Sequence, residues 1–354
     1  MTMTTALLGL AAIVLLAVLV HGWWSVRRVS PRQASPERLA ERVEPALGAE
    51  PAASAEEAAD GPELGPGPAT PPMGLPAARP AACLDALIDA IVPLTLEAPV
   101  PGELALAHLP ASRRAGSKPL HVEGLDTHTG QWEVPAPGRL YSEFQAGVQL
   151  ANRGGALNEI EYSEFVQKVQ VFAEGVGAMA DFPDMLEVVA RARELDEFAG
   201  PLDAQITLTL RARAVPWSVG FVVQCAAHHG FVPGVLPGRL VVPSAEEGAP
   251  PVLVLGFDPQ AALADDPQAA ALREVVLSLD VPQTARSGEP YPLWYQAATA
   301  LAAELEASPV DDAGRPITLG DFDAIGRQLE QLYQALESRD LAAGSAAARR
   351  LFSG

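Results

Sequence analysis

Hydrophobic and polar residues are distributed along this chain in three distinct regimes. From Ala6 to Val20 every residue is Ala, Leu, Ile, Val or Gly, and neither Met1 to Thr5 nor His21 to Trp24 adds a Lys, Arg, Asp or Glu. About 20 mostly apolar residues make a helix long enough to cross a bilayer, so the pattern predicts one transmembrane anchor over 1–24. Between Val43 and Ala82 the chain runs through Ala, Pro, Gly and Glu with no period of either kind. Such a stretch cannot bury enough apolar area to offset its conformational entropy, and residues 25–82 are expected to be a basic juxtamembrane segment followed by a disordered tether. No basic P-x-x-P pattern marks it as a docking tract.

From residue 83 onward the pattern changes to short strands and amphipathic helices. Ile88 to Leu96 and Phe144 to Leu150 read as strands, and Val166 to Ala173 alternates in the same way, with Val169, Val171 and Ala173 on one side and Lys168 and Gln170 on the other. Phe182 to Phe198 reads as a helix carrying Met185, Val188, Val189, Ala192 and Leu195 on one side. The order then repeats. Ile206 to Arg211 is a strand, Pro216 to Phe231 a helix, and Arg239 to Val242, Val252 to Phe257 and Val275 to Val281 are further strands. The helices Leu293 to Glu306 and Asp321 to Leu336 follow, the last with Phe322, Ile325, Leu329, Leu332 and Leu336 at helical spacing. The fold class expected is α+β, two units of antiparallel β-sheet with helices packed on one face, at 83–202 and 203–340. Residues 341–354 are expected to be a disordered tail.

Charge narrows the function classes. The chain carries a net charge of −20, which excludes nucleic acid as a partner, because phosphate binding needs clustered Lys and Arg. Only two cysteines occur, Cys83 and Cys225, without a C-x-x-C neighbour, and they read as free thiols in a reducing compartment. Trp23 and Trp24 stand where an aromatic belt belongs, with Arg27, Arg28, Arg32, Arg38 and Arg42 beyond them. The positive-inside rule then puts the C-terminal side in the cytoplasm and the N-terminus in the periplasm. A cleaved signal peptide would need a basic n-region and a small-x-small site, and neither is present.

Several stretches carry a family resemblance. Leu19-Val20-His21-Gly22-Trp23-Trp24-Ser25-Val26-Arg27-Arg28 is similar to the juxtamembrane V-H-G-[FW]-W-x-x-R-[KR] stretch of ZipA cell-division proteins. Ala302-Ala303-Glu304-Leu305-Glu306 leading into Val310-Asp311-Asp312-Ala313-Gly314-Arg315-Pro316-Ile317-Thr318 resembles the end of the ZipA C-terminal domain. His229-Gly230-Phe231 and Asp280-Val281-Pro282 match its A-G-F-type turn and its Q-V-P strand end. The resemblance covers about Asp203 to Leu336 and the membrane-proximal N-terminus. The first unit departs from it, matching only through Asn158 to Gly177 and the helix after. What the resemblance implies is a single-pass protein of the cell inner membrane, in septum formation, whose cytoplasmic domain binds the C-terminal tail peptide of FtsZ.

Sheet parity suggests where such a peptide would lie. In the first unit Glu143, Gln145 and Gln149 make the face away from the helices polar, whereas Val252-Leu253-Val254-Leu255-Gly256-Phe257 is apolar on both faces. Ser278 and Asp280 mark the outer parity of their strand, which brings Val276 outward, and similar logic turns Thr207, Thr209 and Arg211 outward. Matching Val252 to Phe257 to the family's strand puts Leu253, Leu255 and Phe257 on the outer face, with Leu236 near its edge. The expected tail-binding residues are thus Thr209, Arg211, Leu236, Leu253, Leu255, Phe257, Val276 and Ser278, and the expected bilayer-interface residues are Trp23, Trp24, Arg27 and Arg28.

Motifs of chemistry are sparse. His228-His229 lie beside Cys225, but adjacent histidines of a helix point apart and no third ligand stands near them in the chain. His121 and His128 flank the turn Gly124-Leu125-Asp126-Thr127. Asp311-Asp312-Ala313-Gly314 lacks the alternating oxygens and terminal Glu of a calcium loop. No P-loop, dinucleotide glycine signature, nucleophile elbow or zinc helix is present. The expectation is a non-enzymatic adaptor with no cofactor, no metal and no small-molecule substrate. The competing class is a membrane-anchored enzyme or envelope-binding protein with an extracytoplasmic domain, which the arginine cluster disfavours.

Overall fold

The structure is a computed structural model that describes residues 84–354 apart from 265, 267–269, 312, 313 and 318. The expected anchor (1–24), the segment 25–82, the interface residues Trp23, Trp24, Arg27 and Arg28, and part of the Asp312 to Thr318 stretch lie outside the described residues. Among the described residues no helix is long and apolar enough to cross a membrane.

The chain is α+β, with antiparallel sheets and helices. In the first unit β1 (Asp89–Pro101), α1 (Gly102–His108), β2 (Lys118–Asp126), β3 (Leu140–Gln149), α2 (Glu159–Val176), β4 (Ala178–Ala180) and α3 (Met185–Ala199) follow in order. The sheet runs β2-β3-β1-β4, with the short strand Arg114–Ala115 beyond β2. Ala90, Val148 and Leu120 share one rung and Val92, Ala146 and Val122 another. These side chains are buried together with Phe165, Val169 and Phe172 of α2 and Val188 and Ala192 of α3.

Val166 to Ala173, expected as a strand, lies inside α2. Its alternation spans eight residues, but Tyr162, Phe165, Val169, Phe172 and Val176 form a longer stripe at helical spacing, all buried, while Val171 is exposed. The start is marked as well. Asn158 accepts from the backbone of Ile160 and Glu161, the Glu161 side chain returns to Asn158, and Gly177 in a left-handed conformation ends the helix.

The second unit comprises β5 (Gln205–Ala212), α4 (Val219–His228), β6 (Val232–Pro233), β7 (Arg239–Val242), β8 (Leu253–Gly256), β9 (Glu274–Asp280), α5 (Pro290–Glu304), β10 (Ala307–Val310) and α6 (Leu319–Glu337). Helix α4 starts at Val219, after the Ser218 hydroxyl caps Phe221 N, and not at Pro216. The sheet runs β6-β7-β8-β9-β5-β10. Set beside the first unit, β8-β9-β5-β10 traces the same path as β2-β3-β1-β4, a split β-α-β arrangement in which the last strand returns to pair with the first. β7 takes the place that Arg114–Ala115 holds in the first sheet, and β6 beyond it is extra.

The end of the chain is ordered, contrary to expectation. Ala346–Leu351 forms α7, capped by the Ser345 hydroxyl on Ala348 N. Ala348, Leu351 and Phe352 are buried in the core of the first unit, together with Leu336 and Leu341. The sequence hid this because Ala342 to Ala348 carries almost no large apolar side chain. Its burial depends on a surface made by residues more than 150 positions earlier. The units also meet through Arg153, whose guanidinium bonds Asp203 at 2.6 Å and Asp280 at 2.8 Å.

Candidate functional site

A leucine ladder defines the inside of the second sheet. Leu240, Leu255, Leu277 and Leu208 lie in register across β7, β8, β9 and β5, fully or almost fully buried, with Leu210 and Leu253 beside them. Opposite them stand Val222 and Cys225 of α4, Trp294 and Leu301 of α5 and Leu329 of α6. The expected positions of Leu253 and Leu255 are therefore corrected by one residue: both face the helices and belong to the core. A one-residue slip inverts a strand's faces, and a run apolar on both sides has no polar residue to mark the outer one.

The outer face follows from the same register. One rung holds Val232, Val241, Val254, Ser278 and Thr207, and the next holds Arg239, Gly256, Val276, Thr209 and Val310. A third holds Glu274, Arg211 and Ser308. Thr209, Arg211, Val276 and Ser278 thus lie where expected, and Val276 keeps 37 % of its surface. The units therefore do not pack face to face over this strand. The Ser278 hydroxyl donates to Val254 O at 3.2 Å, and Arg211 stands 3.5 Å from Glu274.

Gly256 has no side chain between Arg239 and Val276, and a cleft of about 890 Å³ opens there. Arg239, Phe257, Leu272, Glu274 and Val276 line it. Phe257 lies just past β8, half-buried against the core while reaching the cleft. Leu236 is exposed on the β6–β7 turn and is not part of the lining.

Sequence reasoning missed Val241, Val254, Gly256, Arg239 and Val310. A usable signal was there. The inner rungs are chiefly leucine, whereas the outer positions carry Val241, Val254, Val276, Val310 and two threonines. β-Branched side chains suit a flat, half-exposed pleated surface, so the valines of Val252-Leu253-Val254-Leu255 already distinguish the faces. Gly256 within a strand is a second sign, of close approach.

The helix layer is tied together under this sheet. His228 and His229 end α4, and the Glu304 carboxylate at the end of α5 takes one imidazole on each oxygen, at 2.7 and 2.8 Å. Partial burial pushes the Glu304 pKa up, but the two histidine hydrogen bonds outweigh it and hold the carboxyl below its usual range. Trp217 Nε1 donates to Leu305 O at 2.8 Å beside them. Among the described residues no group of three or more His, Cys, Asp or Glu is arranged to hold a metal ion.

The outer face and its cleft thus offer valine methyls, hydroxyls, the guanidinium groups of Arg211, Arg239 and Arg273 and the carboxylates of Asp258 and Glu274 on an open surface. Together they can desolvate aliphatic side chains and pair carboxylates at the rim. Comparison with known protein families and with curated proteins gives no match.

Proposed function

We propose that this chain is a ZipA-like division adaptor, in which a membrane anchor at 1–24 carries two ZipA C-terminal-domain-like units, the product of a duplication, on the cytoplasmic side of the inner membrane. The outer face of the second sheet binds the C-terminal tail peptide of FtsZ. The observation that carries this reading is the cleft over Gly256, lined by Val276, Phe257 and Leu272 with Arg239 at its rim, on a sheet face that its own helices leave uncovered. An extended peptide with apolar anchors gains most of its affinity by desolvation there, about 25 cal/mol per Å² of apolar surface. Rim arginines contribute about 1 kcal/mol or less apiece, and set orientation. Many copies along one FtsZ filament would raise avidity without new contacts.

The test is fluorescence anisotropy of a labelled FtsZ tail peptide against the full chain in detergent micelles. Saturable binding that Val276→Asp abolishes, in a variant that still melts cooperatively, supports the reading. Absence of binding by the unmodified chain sinks it.

A further inference from the structure

Strand β6 and the turn that joins it to β7 have no counterpart in the first unit, and their composition is unlike that of the surrounding loops. Phe231-Val232-Pro233-Gly234-Val235-Leu236-Pro237-Gly238 contains no polar side chain. Phe231 is buried and fastens the base to the core, while Val235 is 101 % exposed, Leu236 54 % and Val232 46 %. A valine as exposed as in an extended peptide stands at a protruding tip. Soluble surfaces carry single apolar residues freely, but a convex finger made only of them points to an apolar medium.

We infer that this finger dips into the interfacial layer of a lipid bilayer. Entry into an apolar layer demands that backbone polar groups be paired within the segment. Here Pro233 and Pro237 have no N–H to desolvate. Gly234 N donates to Arg239 O at 2.8 Å, and Arg239 N donates to Leu236 O at 3.2 Å, closing the turn on itself. Charge favours an anionic surface. From Ala204 to Ala245 there is no Asp or Glu, in a chain with 44 of them, and exposed Arg239 sits at the base of the finger where lipid phosphates would lie, while Asp258 and Glu274 stay behind it in the cleft. Arg239 also lines the neighbouring cleft, so lipid and peptide share that one side chain, while Val235 and Leu236 lie outside the cleft.

The test uses the full chain with an environment-sensitive dye on Val235→Cys in a Cys83→Ser background, Cys225 being buried. A second protein carries the dye on Gln328→Cys, at an exposed position of α6. Both are reconstituted in phosphatidylethanolamine vesicles with and without phosphatidylglycerol. The dye at 235 is expected to shift to the blue and to be quenched by lipid-borne nitroxides several-fold more in the anionic vesicles, while the dye at 328 stays in water. Arg239→Glu should remove that anionic preference. A dye at 235 that stays in water in both vesicles overturns the inference. So does one that is buried only after FtsZ tail peptide is added, since the finger then belongs to the protein site.

Discussion

Arg350 donates to both carboxylate oxygens of Asp89, at 2.8 and 2.6 Å, across 261 residues of sequence. Asp89 opens the first strand and its side chain is fully buried, while Arg350 lies in the last helix. Removing one partner of a buried ion pair leaves the other unpaired, at a cost of about 3 to 5 kcal/mol. Arg350→Ala is therefore expected to lower stability by about that much, and urea unfolding followed by circular dichroism would measure it. Truncation after Leu341 should be worse, since it also removes Leu351 and Phe352 from the core. A truncated chain as stable as the intact one would contradict the placement of α7.

The register of β8 separates neighbouring residues sharply. Leu255 is fully buried and Val254 is half-exposed on the other face. Leu255→Asp should unfold the second unit, because a buried carboxylate there has no partner. Val254→Asp should keep the fold while weakening peptide binding at least tenfold. Melting curves beside peptide anisotropy distinguish the two faces.

Gly256 offers a change that adds rather than removes. A Cβ built there meets only Val276 O at 3.9 Å, so a side chain has room. Gly256→Val should leave the melting temperature unchanged or slightly raised, since a strand glycine is conformationally costly. The added methyls fill the cleft, and peptide affinity is expected to fall about tenfold, roughly 1.4 kcal/mol.

Glu161 predicts a pH effect. Burial alone would raise its pKa, but bonds from Ser117 N and Oγ, from Asn158 N and the charge of Lys118 together hold it below the usual range. A depressed folded-state pKa contributes stability that is present above the unfolded value, about 4.3, and is lost as pH falls through the folded value. Glu161→Gln should then cost about 1 kcal/mol at pH 7. The gap between variant and wild type should narrow as pH drops below about 4. Urea midpoints at several pH values would show it. A gap that widens in acid would contradict the assignment.

Much of this architecture can be read without coordinates. Tyr162, Phe165, Val169, Phe172 and Val176 repeat at helical spacing over about four turns, and Asn158 with Glu161 marks the start. Reading only Val166 to Ala173 mistook a local alternation for a strand, because eight residues are too few to separate a period of 2 from one of 3.6. The outward parity of Thr209, Arg211, Val276 and Ser278 was legible because each stands in a strand whose other face is unbroken apolar. That of Leu253 and Leu255 rested only on the valine–leucine alternation of their strand, which has no polar residue to mark its outer face.

Periodicity, capping residues and the positions of Gly and Pro lie within a few residues of what they control, so the α+β class and most strands and helices were legible in the chain alone. The tertiary structure alone decided the rest. It paired Val254 with Ser278, brought Glu304 between His228 and His229, and returned Ala346 to Leu351 to a core begun at Ile88. Each of these joins residues far apart in the chain, where the energy comes from surfaces that exist only once both partners have folded.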